Sequence, residues 1–323
     1  MYCLYSCKIL KHYNCFQLFS SLQYSGKLAT SNLEARKLDS RKEELLINMA
    51  KFTTERTKAT VIAVACLSGG SGKTTTVLNL AIMLSEKGKT LAVDFDPQGN
   101  LSQWMGLTDV LSDSATIAET ILPDEDRINI LEIVRTPANE ERLERLFVAP
   151  SDYSLARAAD AIAMEPGRER FLKRAIKPAL QNYDFIVIDS PPSKGILTYN
   201  AILAADYLVI PTECTHKGVM GAISTLTLVK ELEELEFQVP TVLGVLPTRD
   251  QWAGANRTKM SKAAIEALQN ALNITHLFSA VRQSTTVQQT NHMGWSLDEA
   301  GEEALAKPYK EVVQVLLKGK MHE

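Results

Sequence analysis

The chain has 323 residues, 45% of them apolar and 23% charged, with 35 basic against 38 acidic side chains and a formal net charge of −3. That composition belongs to a soluble globular protein able to bury a large core without metal or disulfide staples. The charge excludes a protein that coats nucleic acid by bulk attraction, so any affinity for DNA must rest on a local patch. No apolar run approaches the roughly 20 residues of a membrane span, and five scattered cysteines, an odd number, read as reduced thiols of a cytoplasmic protein.

The first 48 residues differ from the rest. They hold Cys3, Cys7 and Cys15 and carry seven basic against four acidic groups, which leaves the remaining 275 residues at −6. Asn14, Gln17 and Gln23 interrupt any apolar core of a secretory signal. Residues 1–57 are therefore expected to be an extension outside the fold, with translation expected to start at Met49, and residues 58–323 to form one domain.

In chain order, the first expected strand is the apolar run 60–66, followed at once by a glycine-rich loop and a helix over 74–87 that ends at Gly88. Further strand-length runs lie at 91–95, 146–149, 185–189, 207–210 and 242–246. They are apolar on both faces rather than alternating, as in parallel strands buried between helices. Helical stretches at 153–163, 167–181, 217–235, 258–271 and 298–317 separate or follow them. Alternation of β and α without a Pro/Gly/Ser-rich linker predicts an α/β fold, a doubly wound and mostly parallel sheet flanked by helices.

The chemistry begins at the end of the first strand, where Leu67–Thr76 reads LSGGSGKTTT. Small residues at Ser68, Gly69, Gly70 and Ser71, then Gly72, let successive backbone N–H groups converge on phosphate oxygens. The helix opening at Thr74 and Thr75 adds its N-terminal dipole. In a loop of this type Lys73 neutralises β- and γ-phosphates and the Thr74 hydroxyl ligates Mg²⁺, so the expected ligands are ATP and Mg²⁺. Asp189 ends the 185–189 strand, where a carboxylate holds Mg²⁺ through its water shell. Asp94 and Asp96 lie two apart and point the same way if strand pairing continues through them.

Leu67 stands where a standard phosphate loop has its first glycine. The xGGxGKT spacing, together with VDFDPQGNLSQWMGL at 93–107 and VIDSPPS at 187–193, resembles the deviant phosphate loop, Walker A′ stretch and Walker B strand of the ParA/MinD family of partition and positioning ATPases. The likeness covers roughly residues 58–318. It implies a P-loop ATPase in which Asp96 orients the attacking water, Asp94 supports the Lys73 and Mg²⁺ end of the site, and Thr248 and Arg249 lie at the adenine. The family normally has a lysine immediately before the Gly-Gly pair, reaching the partner's phosphates across an ATP-dependent homodimer. Here that residue is Ser68, which cannot supply positive charge. Lys217 is nominated as the substitute and Lys194 as second choice.

The serine resembles the McdA branch, which spaces carboxysomes over the nucleoid of cyanobacteria. That likeness implies a cytoplasmic, nucleoid-associated protein that binds nonspecific DNA as a dimer, with a small cargo-linked adaptor, McdB-like or ParB-like, stimulating hydrolysis. Candidate DNA contacts are Arg257, Lys259, Lys262, Arg282, Lys307 and Lys310. A plasmid or chromosome partition ATPase is the alternative, and a MinD-like membrane-positioning ATPase a further one. The closing helix reads as core-docking rather than membrane-binding. Cys66 and Cys214 read as packing residues rather than cluster ligands.

Overall fold

Six apolar runs become six strands because β-branched and aliphatic side chains pack well on a pleat covered from both sides. These are β1 (Thr60–Val64), β2 (Thr90–Asp94), β3 (Leu146–Ala149), β4 (Phe185–Asp189), β5 (Tyr207–Glu213) and β6 (Thr241–Thr248). This computed structural model describes residues 58–107, 114–123, 127–138, 143–271 and 276–320. The expected extension over 1–57, with Met49 and its three cysteines, lies outside the described residues. The strands form one sheet in the order β3-β2-β4-β1-β5-β6, with every pairing parallel.

Eleven described helices connect or cover the strands: α1 (Lys73–Ser85), α2 (Asn100–Trp104), α3 (Ile117–Thr120), α4 (Ile130–Ile133), α5 (Ser154–Ile162), α6 (Phe171–Ala175), α7 (Ile196–Ala204), α8 (His216–Glu234), α9 (Lys259–Ala271), α10 (Thr285–Met293) and α11 (Glu303–Lys320). The period-two pleat divides the core. Val61 and Ala63 of β1 face one cluster with residues of α5, α7, α8 and α9, while Ile62 and Val64 face the other with α1 and α11. Among the described residues no helix is long and apolar enough to cross a membrane.

Besides the short helices α2, α3 and α4, which were not expected, the elements differ from expectation as follows. The helix expected over 167–181 is broken into a 3₁₀ turn (Arg168–Arg170), α6 and a second 3₁₀ turn (Lys177–Gln181) that carries Pro178 at its start, because proline lacks the N–H that would continue an α-helix. The last helix starts at Glu303 rather than 298, after a turn in which Gly301 takes a left-handed φ of 75°. α7 was not expected: it is apolar almost all round and buried, so it carries no amphipathic signal. Nor were α10 and the two-stranded hairpin of β7 (Trp252–Ala253) and β8 (Asn256–Arg257).

Past α9 the chain returns along β6. Val245 N–H donates to His276 O at 2.8 Å, Phe278 N–H to Val245 O at 2.9 Å and Asp250 N–H to Val281 O at 2.9 Å. This return delivers residues 281–284 to the carboxyl edge of the sheet, beside the glycine-rich loop.

Candidate nucleotide site at the carboxyl edge of the sheet

The loop between β1 and α1 is shaped by two glycines in the left-handed region, Gly70 at φ 77° and Gly72 at φ 86°. Side-chain-bearing residues rarely adopt that conformation. Gly72 is the N-cap of α1 and offers no side-chain cap, so N–H groups of the first turn stay free for an anion. Gly69 and Gly70 are exposed, and Thr74 and Thr75 half-buried. Thr248 Oγ1 donates to Ser71 O at 2.9 Å, propping the loop from the end of β6. Leu67 N–H donates to Thr225 Oγ1 of α8 at 2.9 Å.

Lys73 curls back over this loop, its Nζ donating to Ser68 O at 3.0 Å and Cys66 O at 3.3 Å, with Ser71 Oγ at 3.5 Å. All three acceptors are uncharged. Burial holds the ammonium below its ordinary range, opposed by the carboxylates of Asp189 and Asp96. A buried cation without a direct carboxylate contact suits a phosphate.

Asp94 and Asp189 are register partners at the ends of β2 and β4, both with almost no exposure. The pairing expected to run on through Asp96 does not: β2 stops at Asp94, and the chain turns, with Asp96 Oδ1 accepting from Gln98 N–H at 3.0 Å. Asp94 Oδ2 accepts from Ser102 N–H at 2.8 Å and Ser102 Oγ at 2.7 Å, and Oδ1 from Asp96 N–H at 3.3 Å. Its oxygens are thus engaged by the Asp96 loop and the start of α2 rather than by Lys73, so its support for that end of the site is indirect. Burial pushes the Asp94 carboxyl up to about 6 against the pull of the Ser102 hydrogen bonds.

Asp189 Oδ1 accepts from Ser190 N–H at 3.0 Å, but Oδ2 is buried with no partner. Burial, and after it the neighbouring Asp94 carboxylate, push the group well above the usual carboxylate range. An orphaned, crowded carboxylate oxygen is what a hydrated divalent cation satisfies. Among the described residues no three His, Cys, Asp or Glu side chains converge on one point. That suits Mg²⁺, which keeps waters and shares few protein ligands with a nucleotide's phosphates. Asp189 and Thr74 are the residues fitted to hold it. When bound, the ion supplies charge neutralisation to the β- and γ-phosphate oxygens.

A cavity of about 360 Å³ opens beside the loop, lined by Gly72, Thr75, Thr248, Arg249, Gln283, Ser284 and Asn291 among others. Arg249 adopts a left-handed φ of 51° and pairs with Glu213 at 3.7 Å, its guanidinium 3.5 Å from where a Cβ on Gly70 would sit. It therefore stands over the phosphate loop as well as lining the cavity. Asn291 of α10 donates from Nδ2 to Thr75 Oγ1 at 2.8 Å, and its buried Oδ1 has no partner. Gln283, Ser284 and Asn291 escaped the sequence reading. The Ser-Thr-Thr at 284–286 is a cap signal that could have found α10, since Ser284 accepts from Thr286 N–H, but nothing local says that α10 faces the loop.

Ser68 is buried against α8, its Cβ 2.6 Å from where a Cβ on Gly221 would sit. Lys217 is exposed in the first turn of α8, four residues before Gly221, and among the described residues it makes no ion pair. It thus stands one helical turn from the Ser68 contact, on the same helix face. Lys194, the second choice, is engaged by Glu231 at 2.7 Å.

The six expected DNA contacts do not form one patch. Arg257 is committed to buried Asp250, with contacts of 2.8 to 2.9 Å, and Arg257 and Arg282 lie 5.3 and 5.0 Å from the Trp252 ring. Lys259 and Lys262 are exposed on α9 beside them. Lys307 and Lys310 lie on α11 across the sheet, Lys310 bound to Asp298 at 2.6 Å.

Comparison with known proteins agrees with this geometry. A family profile described as an AAA domain matches residues 59–239. The maintenance of carboxysome distribution protein A of Gloeothece citriformis is 35% identical over 79% of this chain and 96% of its own length. The sporulation initiation inhibitor protein Soj of Bacillus subtilis is 36% identical over 57% of this chain and 71% of its own. The structure of an aspartate-to-alanine variant of Cyanothece McdA in complex with ATP superposes with a TM-score of 0.75 at 34% identity, covering 80% of this chain and 97% of that one. With the phosphate loop, the orphaned Asp189 oxygen and the sheet order in place, the protein is an ATPase whose ligands are ATP and Mg²⁺. The chain belongs to the ParA/MinD family of deviant-Walker ATPases and is similar to its McdA branch.

Proposed function

We propose that this ATPase positions a cargo, carboxysomes, by cycling on and off DNA. The observation that carries this reading is that the likeness to a carboxysome distribution protein runs over 96% of that protein, with a buried serine where partition relatives carry their signature lysine. ATP is held by Gly69 to Thr75, with Thr248 and Arg249 closing the cavity wall, and two chains close face to face over their nucleotides. Asp96 orients a water, whose oxygen attacks the γ-phosphorus while the bridging bond to the β-phosphate breaks and ADP leaves. Lys217 supplies the cation that Ser68 cannot, reaching the partner's γ-phosphate as charge develops. The closed dimer binds duplex DNA nonspecifically through Arg257, Lys259, Lys262 and Arg282 of each chain, with Lys307 and Lys310 as outlying contacts. An adaptor on the cargo then stimulates hydrolysis and releases the protein locally from the nucleoid.

The test is steady-state ATP hydrolysis with and without nonspecific duplex DNA, alongside ATP-dependent co-sedimentation with DNA. DNA-stimulated turnover and ATP-dependent binding are expected. Turnover indifferent to DNA but dependent on lipid vesicles or on a metabolite would overturn this function.

A further inference from the structure

At the amino edge of the sheet, opposite the nucleotide, lies a groove of about 480 Å³ walled by Arg170, Lys173, Arg174 and Lys177 and floored by Leu203 and Phe237. It sits beside Lys58, which precedes β1, and Asp206, which precedes β5 and pairs with Lys58 at 3.6 Å. Among the described residues none of the four wall cations makes an ion pair, in a protein with a net charge of −3. Other cations have carboxylate partners: Lys194 with Glu231, Lys230 with Glu234, Arg257 with Asp250, Lys310 with Asp298. Of the acids at the end of α8, Glu231 and Glu234 are thus engaged with other cations.

The wall is also held in place. Arg170 lies over the Phe237 ring at 5.5 Å and Arg174 over Phe171 at 4.2 Å, contacts that fix planar guanidinium groups. Lys173 donates to Gln238 Oε1 at 3.3 Å. Burial, and after it Lys58 and Arg170, hold its ammonium below the ordinary range, with only the Asp206 carboxylate, already paired with Lys58, pulling the other way. Phe237 is presented by a strained turn: Glu236 takes φ 62° where a helix C-terminus prefers glycine, with Phe237 N–H on Leu232 O at 3.1 Å and Glu236 N–H on Glu233 O at 2.9 Å.

Four unmatched cations around an apolar floor call for a ligand with several negative charges and something apolar to seat. Duplex DNA offers phosphates on a convex surface and nothing apolar for the hollow. We propose that the groove docks an acidic segment of a partner protein, carboxylates meeting the four cations and one apolar side chain lying on Phe237 and Leu203. Because it lies at the opposite edge from the phosphate loop, such a partner does not compete with nucleotide for the same surface.

The test is fluorescence anisotropy on the full chain with a labelled peptide alternating glutamate and leucine, one alternating glutamate and glycine, and a short duplex DNA. The glutamate–leucine peptide is expected to bind, and the glutamate–glycine peptide more weakly. Arg170→Glu with Arg174→Glu is expected to weaken the first by about tenfold or more, and Phe237→Ala to weaken it with the salt dependence kept. Basal ATP turnover should not change, since none of these residues belongs to the nucleotide site; it also reports folding, and Arg170→Gln with Arg174→Gln serves if the reversed charges unfold the chain. The proposal is overturned if neither peptide binds, if the variants bind as the parent does, or if the variants lose duplex affinity while peptide binding is unaltered.

Discussion

Gly221→Ala tests whether the phosphate loop is held from behind by α8. A Cβ at position 221 would lie 2.6 Å from Ser68 Cβ, 3.4 Å from Cys66 Sγ and 3.5 Å from Leu67 O. Two carbons prefer a separation of about 3.5–4.0 Å, so one partner must yield by about 1 Å. α8 cannot move readily, since Val219, Ala222, Leu228 and Val229 are buried in the core. The loop is also tethered, through Leu67 N–H to Thr225 Oγ1, so strain falls on Ser68. Overpacking costs about 1–3 kcal/mol, while removing a mid-helix glycine returns about 1 kcal/mol. The net loss is therefore about 0–2 kcal/mol, which for a domain of this size lowers Tm by only a few degrees. ATP affinity should suffer more. Ser68 O is an acceptor for Lys73 Nζ, and displacing it by about 1 Å misplaces the lysine that meets the phosphates, with an expected loss of about tenfold. Equilibrium binding of a fluorescent ATP analogue measures this, and thermal unfolding separates it from global damage. Ser68→Gly in the Gly221→Ala background removes the colliding Cβ and should restore most of the affinity. Wild-type binding by Gly221→Ala, or no rescue by Ser68→Gly, would refute the contact as the determinant.

Other substitutions probe other parts of the site. Asp189→Asn removes a buried charge whose Oδ2 has no hydrogen-bond partner, so thermal stability without nucleotide should hold or rise, while the Mg²⁺ dependence of ATP binding, measured with and without EDTA, should be lost. Lys217→Ala should leave ATP binding to the monomer unchanged but lower ATP-dependent dimerisation and turnover by at least about tenfold; both surviving intact would eliminate Lys217 as the replacement cation. Asp96→Ala should retain ATP and accumulate an ATP-bound, DNA-bound dimer, seen by sedimentation with DNA; normal cycling would remove Asp96 from its role. Asn291→Ala breaks the bond to Thr75 Oγ1 and should weaken ATP by about 1 kcal/mol in a binding titration, with Thr248→Ala in the same range through loss of the prop on Ser71.

Much of the site was legible because its determinants are local. Gly70 and Gly72 announce left-handed turns in the chain itself, and Asp189 is marked by the apolar run that it ends. Both follow from backbone rules acting over a few residues. Asp96 shows where such rules fail: alternation predicts side chains on one face, but Ser102 and Ser151 capture the chain after Asp94 and end the strand. α7 was hidden because burial on all sides erases the amphipathic period. Residues 276–293 were hidden because their placement rests on long-range bonds to β6 and to Thr75, which no short window contains. Pro178 was visible, yet its consequence for the helix at 167–181 went unread. The basic groove could not be read at all, since Arg170 and Phe237 meet across 67 positions of chain.

One element links the two edges of the sheet. α8 carries Lys217 at its start, Gly221 against Ser68 and Thr225 on Leu67, then runs through the core to the turn that presents Phe237. Nineteen residues at 1.5 Å rise make a rod of about 28 Å. A rod packed this closely transmits shifts as a unit rather than absorbing them. A ligand on Phe237 that displaced α8 along its axis would move Gly221 against Ser68, where contact already leaves no room for a methyl group. Its effect on ATP affinity and the effect of ATP on its own affinity must then be the same factor. Peptide titrations with and without ATP measure that factor directly, and a ratio of one would mean that the groove and the phosphate loop are independent although they share a helix.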